Sequence, residues 1–356
     1  MTPDFWVGRK VLLTGHTGFK GAWLSLWLQK MGAVVSGFSL APPTSPSLFE
    51  LADVSLGMSA SLTGDVRDST ALNKAFALTQ PEIAIHMAAQ PLVRQSYKEP
   101  VETYSTNVMG TVNFLEAVRQ TPSVRSVVIV TTDKCYENQE WDWGYREIDR
   151  LGGHDPYSNS KACAELVTSA YLKSYFPPEE HSSHGVSLAS ARAGNVIGGG
   201  DFAKDRLVPD ILRAFKDGAP VDIRHPGAIR PWQHVLEPLR GYLLLAQQLS
   251  LKGPMFSGAW NFGPDAEDAL PVGEVANRMA LLWQSGSQWR LDDSSHPHEA
   301  NFLKLDTSKA HNRLGWKPKI SLQQALELTV KWAKACDSGE NVRELTFNQI
   351  EDYTHI

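Results

Sequence analysis

The tightest constraint on this chain lies near its N-terminus. Lys10-Val-Leu-Leu-Thr-Gly15 is a short apolar run that ends in glycine, the pattern of a strand buried on both faces. Gly15, Gly18 and Gly21 follow at three-residue spacing, and the helical stretch Ala22 to Met31 comes next. A strand, a glycine turn and a helix in that order let the backbone approach a phosphate closely. The turn's amides and the helix dipole supply the positive potential. The reading is therefore an α/β fold with a dinucleotide at its first turn, held by Gly15, Thr17, Gly18, Phe19, Lys20 and Gly21. A tight strand–helix turn without a ligand is the plainer alternative.

The same alternation continues. Ala33 to Leu40 reads as a second strand, Met58 to Gly64 as a third, Glu82 to Ala89 as a fourth and Ser126 to Thr132 as a fifth. Helical stretches separate them, which predicts a doubly wound parallel Rossmann sheet. An NAD site usually has an acid at the end of the second strand. Here Ser39 is followed by Leu40 and a proline-rich loop. The choice between NAD and NADP is thus open, and the adenosine half is expected to be held weakly. Asp65 and Val66 are candidates for the adenine, although Asp65, like Asp68, also fits a helix cap. Met87, Ala88, Ala89 and Gln90 are candidates for the cofactor's path past the fourth strand, and Asn107, inside the helix expected from Pro100 to Gln120, is a further cofactor candidate.

Chemistry is concentrated after the fifth strand. Thr132-Asp133-Lys134 places three polar groups at a strand mouth, and Tyr157 and Lys161 stand four residues apart, one turn apart on a helix face. A phenol is too weakly acidic to act as a base near neutral pH, and a neighbouring cation lowers its pKa. Such a pair can take the proton of an alcohol while hydride leaves its carbon.

At 356 residues the chain is long enough for about two domains. The texture changes after Arg192, where a glycine-rich irregular stretch begins. The division expected is a dinucleotide-binding Rossmann domain over 1–192, with short returning segments, and a smaller α/β C-terminal substrate domain over 193–356. Lys204, Arg206 and Arg230 are its candidates for an anionic substrate. The net charge of -5 and the lack of a dense basic run argue against nucleic-acid binding. Cys135, Cys163 and Cys336 form neither a disulfide framework nor a metal pattern. No signal peptide or membrane span is legible, and a reducing cytoplasm fits.

With those residues in hand, the chain resembles the extended short-chain dehydrogenases/reductases. Gly15-x-x-Gly18-x-x-Gly21, Thr132 and Tyr157-x-x-x-Lys161 carry the likeness. Within that superfamily it resembles the nucleotide-sugar 4,6-dehydratases. Lys134, where relatives carry Glu, with Leu151 to Tyr157, Asn195 to Asp201 and Arg230 to His234, points to the CDP-glucose branch.

The resemblance implies NAD as cofactor and a nucleotide sugar as substrate. Tyr157, with Lys161 and Thr132, would open oxidation at C4. Asp133 would protonate the hydroxyl leaving C6, and Lys134 would be either the base at C5 or a stabiliser of the enolate. Gln90, Arg94, Thr132, Asn195, Lys204, Arg206, Arg230, His234 and Asn261 are the substrate-binding candidates. A homodimer or dimer of dimers, through helices near Val101–Arg119 and Tyr157–Tyr175, and a place in O-antigen-type deoxysugar synthesis are also implied. The competing readings are a UDP-, dTDP- or GDP-sugar dehydratase, a 4-epimerase, and a non-catalytic NAD-sensing protein on the same fold.

Overall fold

Buried runs that alternate with helices have few ways to cover both faces of each strand, and here they form one parallel sheet. The computed structural model describes residues 2–284, 286, 288–292, 294 and 302–356. The sheet's strands are β1 (Lys10–Thr14), β2 (Val34–Ser39), β3 (Ala60–Thr63), β4 (Ile83–His86), β5 (Ser126–Val130), β6 (Ser187–Ala193) and β7 (Gly258–Phe262). Their spatial order is β7-β6-β5-β4-β1-β2-β3, with every pair parallel. The winding reverses between β1 and β4, and ligands bind at such a switch point, outside the carboxyl ends of the strands.

The helices that matter below are α1 (Phe19–Lys30), α2 (Ser69–Thr79), α3 (residues 100–119), α4 (Pro156–Ser174), α5 (Leu207–Lys216), α6 (Leu236–Lys252), α7 (Val272–Trp283), α8 (Leu322–Asp337) and α9 (Val342–His355). Alternation along the strands sorts the core into two sides. Val11, Leu13, Val128 and Val130 pack with Trp23 and Trp27 of α1 and Leu239 and Leu243 of α6. Leu12, Val127 and Ile129 pack on the other face with Phe76 of α2 and Phe114 of α3. Six tryptophans are fully buried, so most of this unusually large set is packing.

The second half of the chain builds a smaller α/β layer. Its core joins Ile211 and Phe215 of α5, Met279 of α7 and Leu326 of α8. Three short strand pairs frame it: Val196–Ile197 with Gln233–His234, Val221–Ile223 with Trp289–Leu291, and Ile229–Pro231 with Ala269–Pro271. This half also returns to the first layer, through β7 at the sheet edge and α6 and α9 in the large core.

The helix expected from Pro100 to Gln120 is continuous but not uniform. A π-turn over Ser105–Met109 interrupts it. Such a turn carries one extra residue, and it swings the Asn107 side chain inward.

Candidate active site

Both ends of the glycine turn are shaped by contact. Gly15 has φ +74, and a Cβ there would lie 2.8 Å from the Ala88 backbone nitrogen. A Cβ on Gly21 would lie 2.1 Å from the Gly15 carbonyl oxygen. These two residues let β1, β4 and α1 close on one another. Gly18 has a different surrounding: the nearest atom to a Cβ there is the Gly15 oxygen, 3.5 Å away. It caps α1 without a side-chain hydrogen bond, which leaves the first-turn amides available to an anion. The turn therefore fits a cofactor pyrophosphate.

The adenosine side is less equipped. The Thr17 hydroxyl bonds Ser39 Oγ at 2.8 Å and the Leu40 carbonyl at 2.9 Å. The His16 ring, bonded to Ser61 at 2.8 Å, fills the space against Gly37. Burial lowers its pKa to about 4, so it stays neutral. Asp65 is held by Arg67 at 2.5 Å, which lowers its pKa. Val66 packs in the core between β3 and α3. Asp68 caps α2 through the Ala71 amide.

Thr132 ends the extended segment after β5 and caps a single 3₁₀ turn, Asp133–Cys135. Its hydroxyl hydrogen-bonds Asp133 Oδ1 at 2.9 Å and the Tyr157 phenol. Asp133 is 1% exposed, and its Oδ2 has no hydrogen-bond partner. A buried carboxyl oxygen without a partner is costly unless it is protonated or meets a ligand. Lys134 lines the same cleft.

Helix α4 starts at an Asp-Pro pair, a pre-formed start. The Asp155 carboxylate accepts the Ser158 amide at 2.9 Å, and this cap fixes Tyr157 in the first turn. Lys161 follows one turn later, its ammonium donating to the Val130 carbonyl at 3.3 Å. Burial lowers its pKa to about 8, against the pull of Glu165 one turn further on.

Glu165 is 3% exposed and accepts from Arg192 and Ser190, each at 2.7 Å, and from Thr131. Arg192 in turn donates to Tyr136 Oη, which donates to Asn261 Oδ1 at 2.7 Å. This network was not anticipated from sequence, although the spacing 157, 161, 165 already places Glu165 on the active face of α4.

Burial pushes the Tyr157 phenol up to about 12, and what opposes the rise is the Thr132 hydrogen bond and the charge of Arg206.

The other candidates divide by place. Arg94, Asn195, Arg206 and Arg230 line the cleft with Phe19 and Lys20. Arg206 is paired with Asp201 at 2.8 Å and Arg94 with Asp205 at 3.0 Å. Asn195 adopts a left-handed φ of 42, and its Oδ1 is buried without a partner.

Four substrate candidates stand elsewhere. Lys204 is exposed and does not line the cleft. His234 is fully buried against Trp23. Asn261 sits on β7 with its amide bonded to Tyr136, Tyr145 and Asp306. The Gln90 side chain bonds Leu92 and Thr103. Of the cofactor candidates, Asn107 bonds the Gln90 backbone and Ser160, tying the end of β4 to α4. Met87, Ala88 and Ala89 lie half-buried after β4, with the Met87 and Ala88 amides near Thr14 Oγ1.

Residues 11–260 match the NAD dependent epimerase/dehydratase family. The chain is 56% identical over 350 residues to the CDP-glucose 4,6-dehydratase of Salmonella typhimurium, covering 98% of this chain and 97% of that one. Solved structures of similar fold include the following two. The dTDP-glucose 4,6-dehydratase of Bacillus anthracis in complex with NAD superposes with TM-score 0.76 at 22% identity, covering 94% of this chain and 99% of that one. The UDP-glucose 4-epimerase of Thermus thermophilus in complex with NAD gives 0.77 at 25% identity, covering 91% and 98%.

Proposed function

The chain belongs to the NAD-dependent epimerase/dehydratase family, and from that premise we propose that it dehydrates CDP-glucose to CDP-4-keto-6-deoxy-glucose. The observation that carries the reading is the Thr132-Asp133-Lys134 turn set against Tyr157 in one cleft, in a chain 56% identical to a CDP-glucose 4,6-dehydratase. An epimerase needs no acid there to expel a hydroxyl.

The glycine turn from Gly15 to Gly21 holds the cofactor pyrophosphate, and Lys161 holds the ribose beside the reacting ring. NAD, when bound there, would supply the hydride acceptor and donor for C4 and C6, so the net change is the loss of one water. Tyr157 takes the proton of the 4-hydroxyl, and Thr132, bonded to both Tyr157 and Asp133, positions the 4-oxygen between them. The resulting ketone acidifies the proton on C5. Asp133 donates a proton to the hydroxyl leaving C6; its partnerless oxygen is free for that bond. Lys134 either removes the C5 proton and returns it to C5 as hydride reaches C6, or stabilises the enolate by charge while another group removes and returns that proton. Arg206 and Arg230 hold the substrate diphosphate, and Asn195 a sugar or phosphate oxygen.

In this reading residues 1–192 with their returning segments carry the dinucleotide, and 193–356 the sugar nucleotide. Exposed Val101, Met109 and Leu166 on α3 and α4 support a homodimer or a dimer of dimers. Among the described residues no helix is long and apolar enough to cross a membrane. A cytoplasmic place and a role in O-antigen-type deoxysugar synthesis complete the proposal.

Turnover of CDP-, UDP-, dTDP- and GDP-glucose, each with and without added NAD, tests it by mass. The expected result is loss of one water from CDP-glucose, with activity dependent on added NAD. An isomer of unchanged mass would replace this reading with a 4-epimerase.

A further inference from the structure

Gln233 stands behind the cleft wall rather than in it. It lies on the short strand Gln233–His234, paired with Val196–Ile197, and is 3% exposed. Its side-chain amide can donate twice. Nε2 donates to the Gly194 carbonyl at 3.2 Å and to the carbonyl of Phe262, the last residue of β7, at 3.0 Å. The Gln233 backbone amide donates to the Asn195 carbonyl at 3.2 Å. One buried residue thus holds two consecutive carbonyls of the loop after β6 and ties them to the edge strand of the sheet. Gly194 and Asn195 line the cleft.

That loop needs holding. Asn195 turns it with a left-handed φ of 42, a conformation uncommon outside glycine that the surroundings must maintain. Gly194 meets the Asp133 carboxyl so closely that a Cβ would lie 2.2 Å from Cγ. On another side Asp133 is bonded through Oδ1 to the Thr132 hydroxyl, 2.9 Å away. The carboxyl is therefore set between a hydroxyl and a stretch of backbone, and Gln233 sets that backbone. Gly194 has no side chain to take up a shift, so any movement of its peptide opens space into which Asp133 can turn.

We propose that Gln233 is a positioning residue for the elimination: by clamping Gly194 and Asn195 to β7 it fixes the Asp133 carboxyl toward the hydroxyl on C6. This rests on the dehydratase reading above and on Asp133 as its acid. In that step the C5 proton is removed, the C6–O bond breaks, and the oxygen leaves as water with the proton from Asp133. Oxidation at C4 uses Tyr157 and Lys161, which are held separately, by the Asp155 cap and the Val130 carbonyl. Loss of the clamp should slow one half of the reaction and spare the other.

Two variants test it. Gln233→Met keeps the bulk and removes both donors; Gln233→Asn keeps the donors but is one methylene too short to reach both carbonyls. In rapid mixing with NAD and CDP-glucose, each should reduce the cofactor within about threefold of the wild-type rate, yet lose water at least about tenfold more slowly. CDP-6-deoxy-6-fluoro-glucose gives a second readout. Its fluoride leaves C6 as an anion and takes no proton, so fluoride release by both variants should stay within about threefold of wild type. Asp133→Ala should show the same preference for the fluoro sugar, more strongly. Normal turnover by the Gln233 variants would overturn the clamp. So would oxidation and water loss slowed alike, fluoride and water loss slowed alike, or failure of both chains to fold; where only the methionine chain fails, the asparagine chain decides. If Asp133→Ala itself slowed both substrates equally, the acid reading would fall and the clamp's purpose with it. A wild-type chain that takes no water from CDP-glucose would overturn the dehydratase reading itself.

Discussion

Tyr157 and Asp133 show how one environment produces two kinds of reactivity. Asp133 is buried and Tyr157 half-buried beside Thr132, whose hydroxyl reaches each of them. Burial alone raises the phenol's pKa, and a cationic cofactor beside it would favour the phenolate, the form that takes a proton from a substrate alcohol. Tyr157→Phe should lower kcat at least a hundredfold, the usual worth of a positioned acid–base group. CDP-glucose affinity should change little. Ketone product measured by absorbance, with binding measured by calorimetry, separates the two effects, and an active phenylalanine variant would remove Tyr157 from the chemistry.

Lys134 is tested differently. Lys134→Ala should still oxidise at C4 and accumulate reduced cofactor, seen by its absorbance, while losing the elimination. Full turnover by this variant would show that another group performs that step. Both residues were legible in the sequence, because their spacing survives without any knowledge of the fold. The nearness of Arg206 to Tyr157 was not, since Arg206 arrives from a segment 49 residues further along the chain, the difference between positions 206 and 157.

At the scale of elements, the site depends on close backbone approach. The loop after β6 presses Gly194 onto the Asp133 carboxylate: a Cβ there would lie 1.9 Å from Oδ2. Gly194→Ala must displace Asp133 or the loop, because the crowded atom belongs to a short, buried side chain. We expect a fall in kcat of about a hundredfold, with a stability loss of about 1–3 kcal/mol. Melting temperature and turnover measured together check it, and normal turnover would mean that Asp133 tolerates movement. The π-turn in α3 is a similar device. It points Asn107 at Gln90 and Ser160, so the end of β4 is tied to the catalytic helix. The contacts of Asn107 were not legible in the sequence, because a π-turn leaves no composition signal and a one-residue insertion cannot be read from periodicity over so few turns.

Across the whole molecule, the Glu165–Arg192 pair links α4, β5 and β6, and through Tyr136 and Asn261 it reaches β7. Removing one partner leaves the other charge buried, at a cost of about 3–5 kcal/mol. Glu165→Gln should lower the denaturant midpoint accordingly, and a change below about 1 kcal/mol would mean that Arg192 finds another partner. Arg192 pulls the folded-state pKa of Glu165 down. That stabilisation is present above the ordinary carboxylate range and is lost as pH falls through the lowered value. The wild type should therefore lose its advantage over Glu165→Gln in acid, not in base.

The sequence by itself determined the order of strands and helices, the phosphate turn and the composition of the catalytic helix and turn. These are local properties: periodicity, glycine where the backbone needs it, and residues one helical turn apart. It also carried a resemblance specific enough to name a reaction. Only the tertiary structure decided which distant polar residues share the cleft. Arg206, Arg230 and Asn195 line it, whereas His234 and Asn261 are enclosed behind it and Lys204 faces solvent. In sequence these six are alike, polar residues in loops and short strands of the second half. What separates them is the direction in which the packed core of that half turns each one.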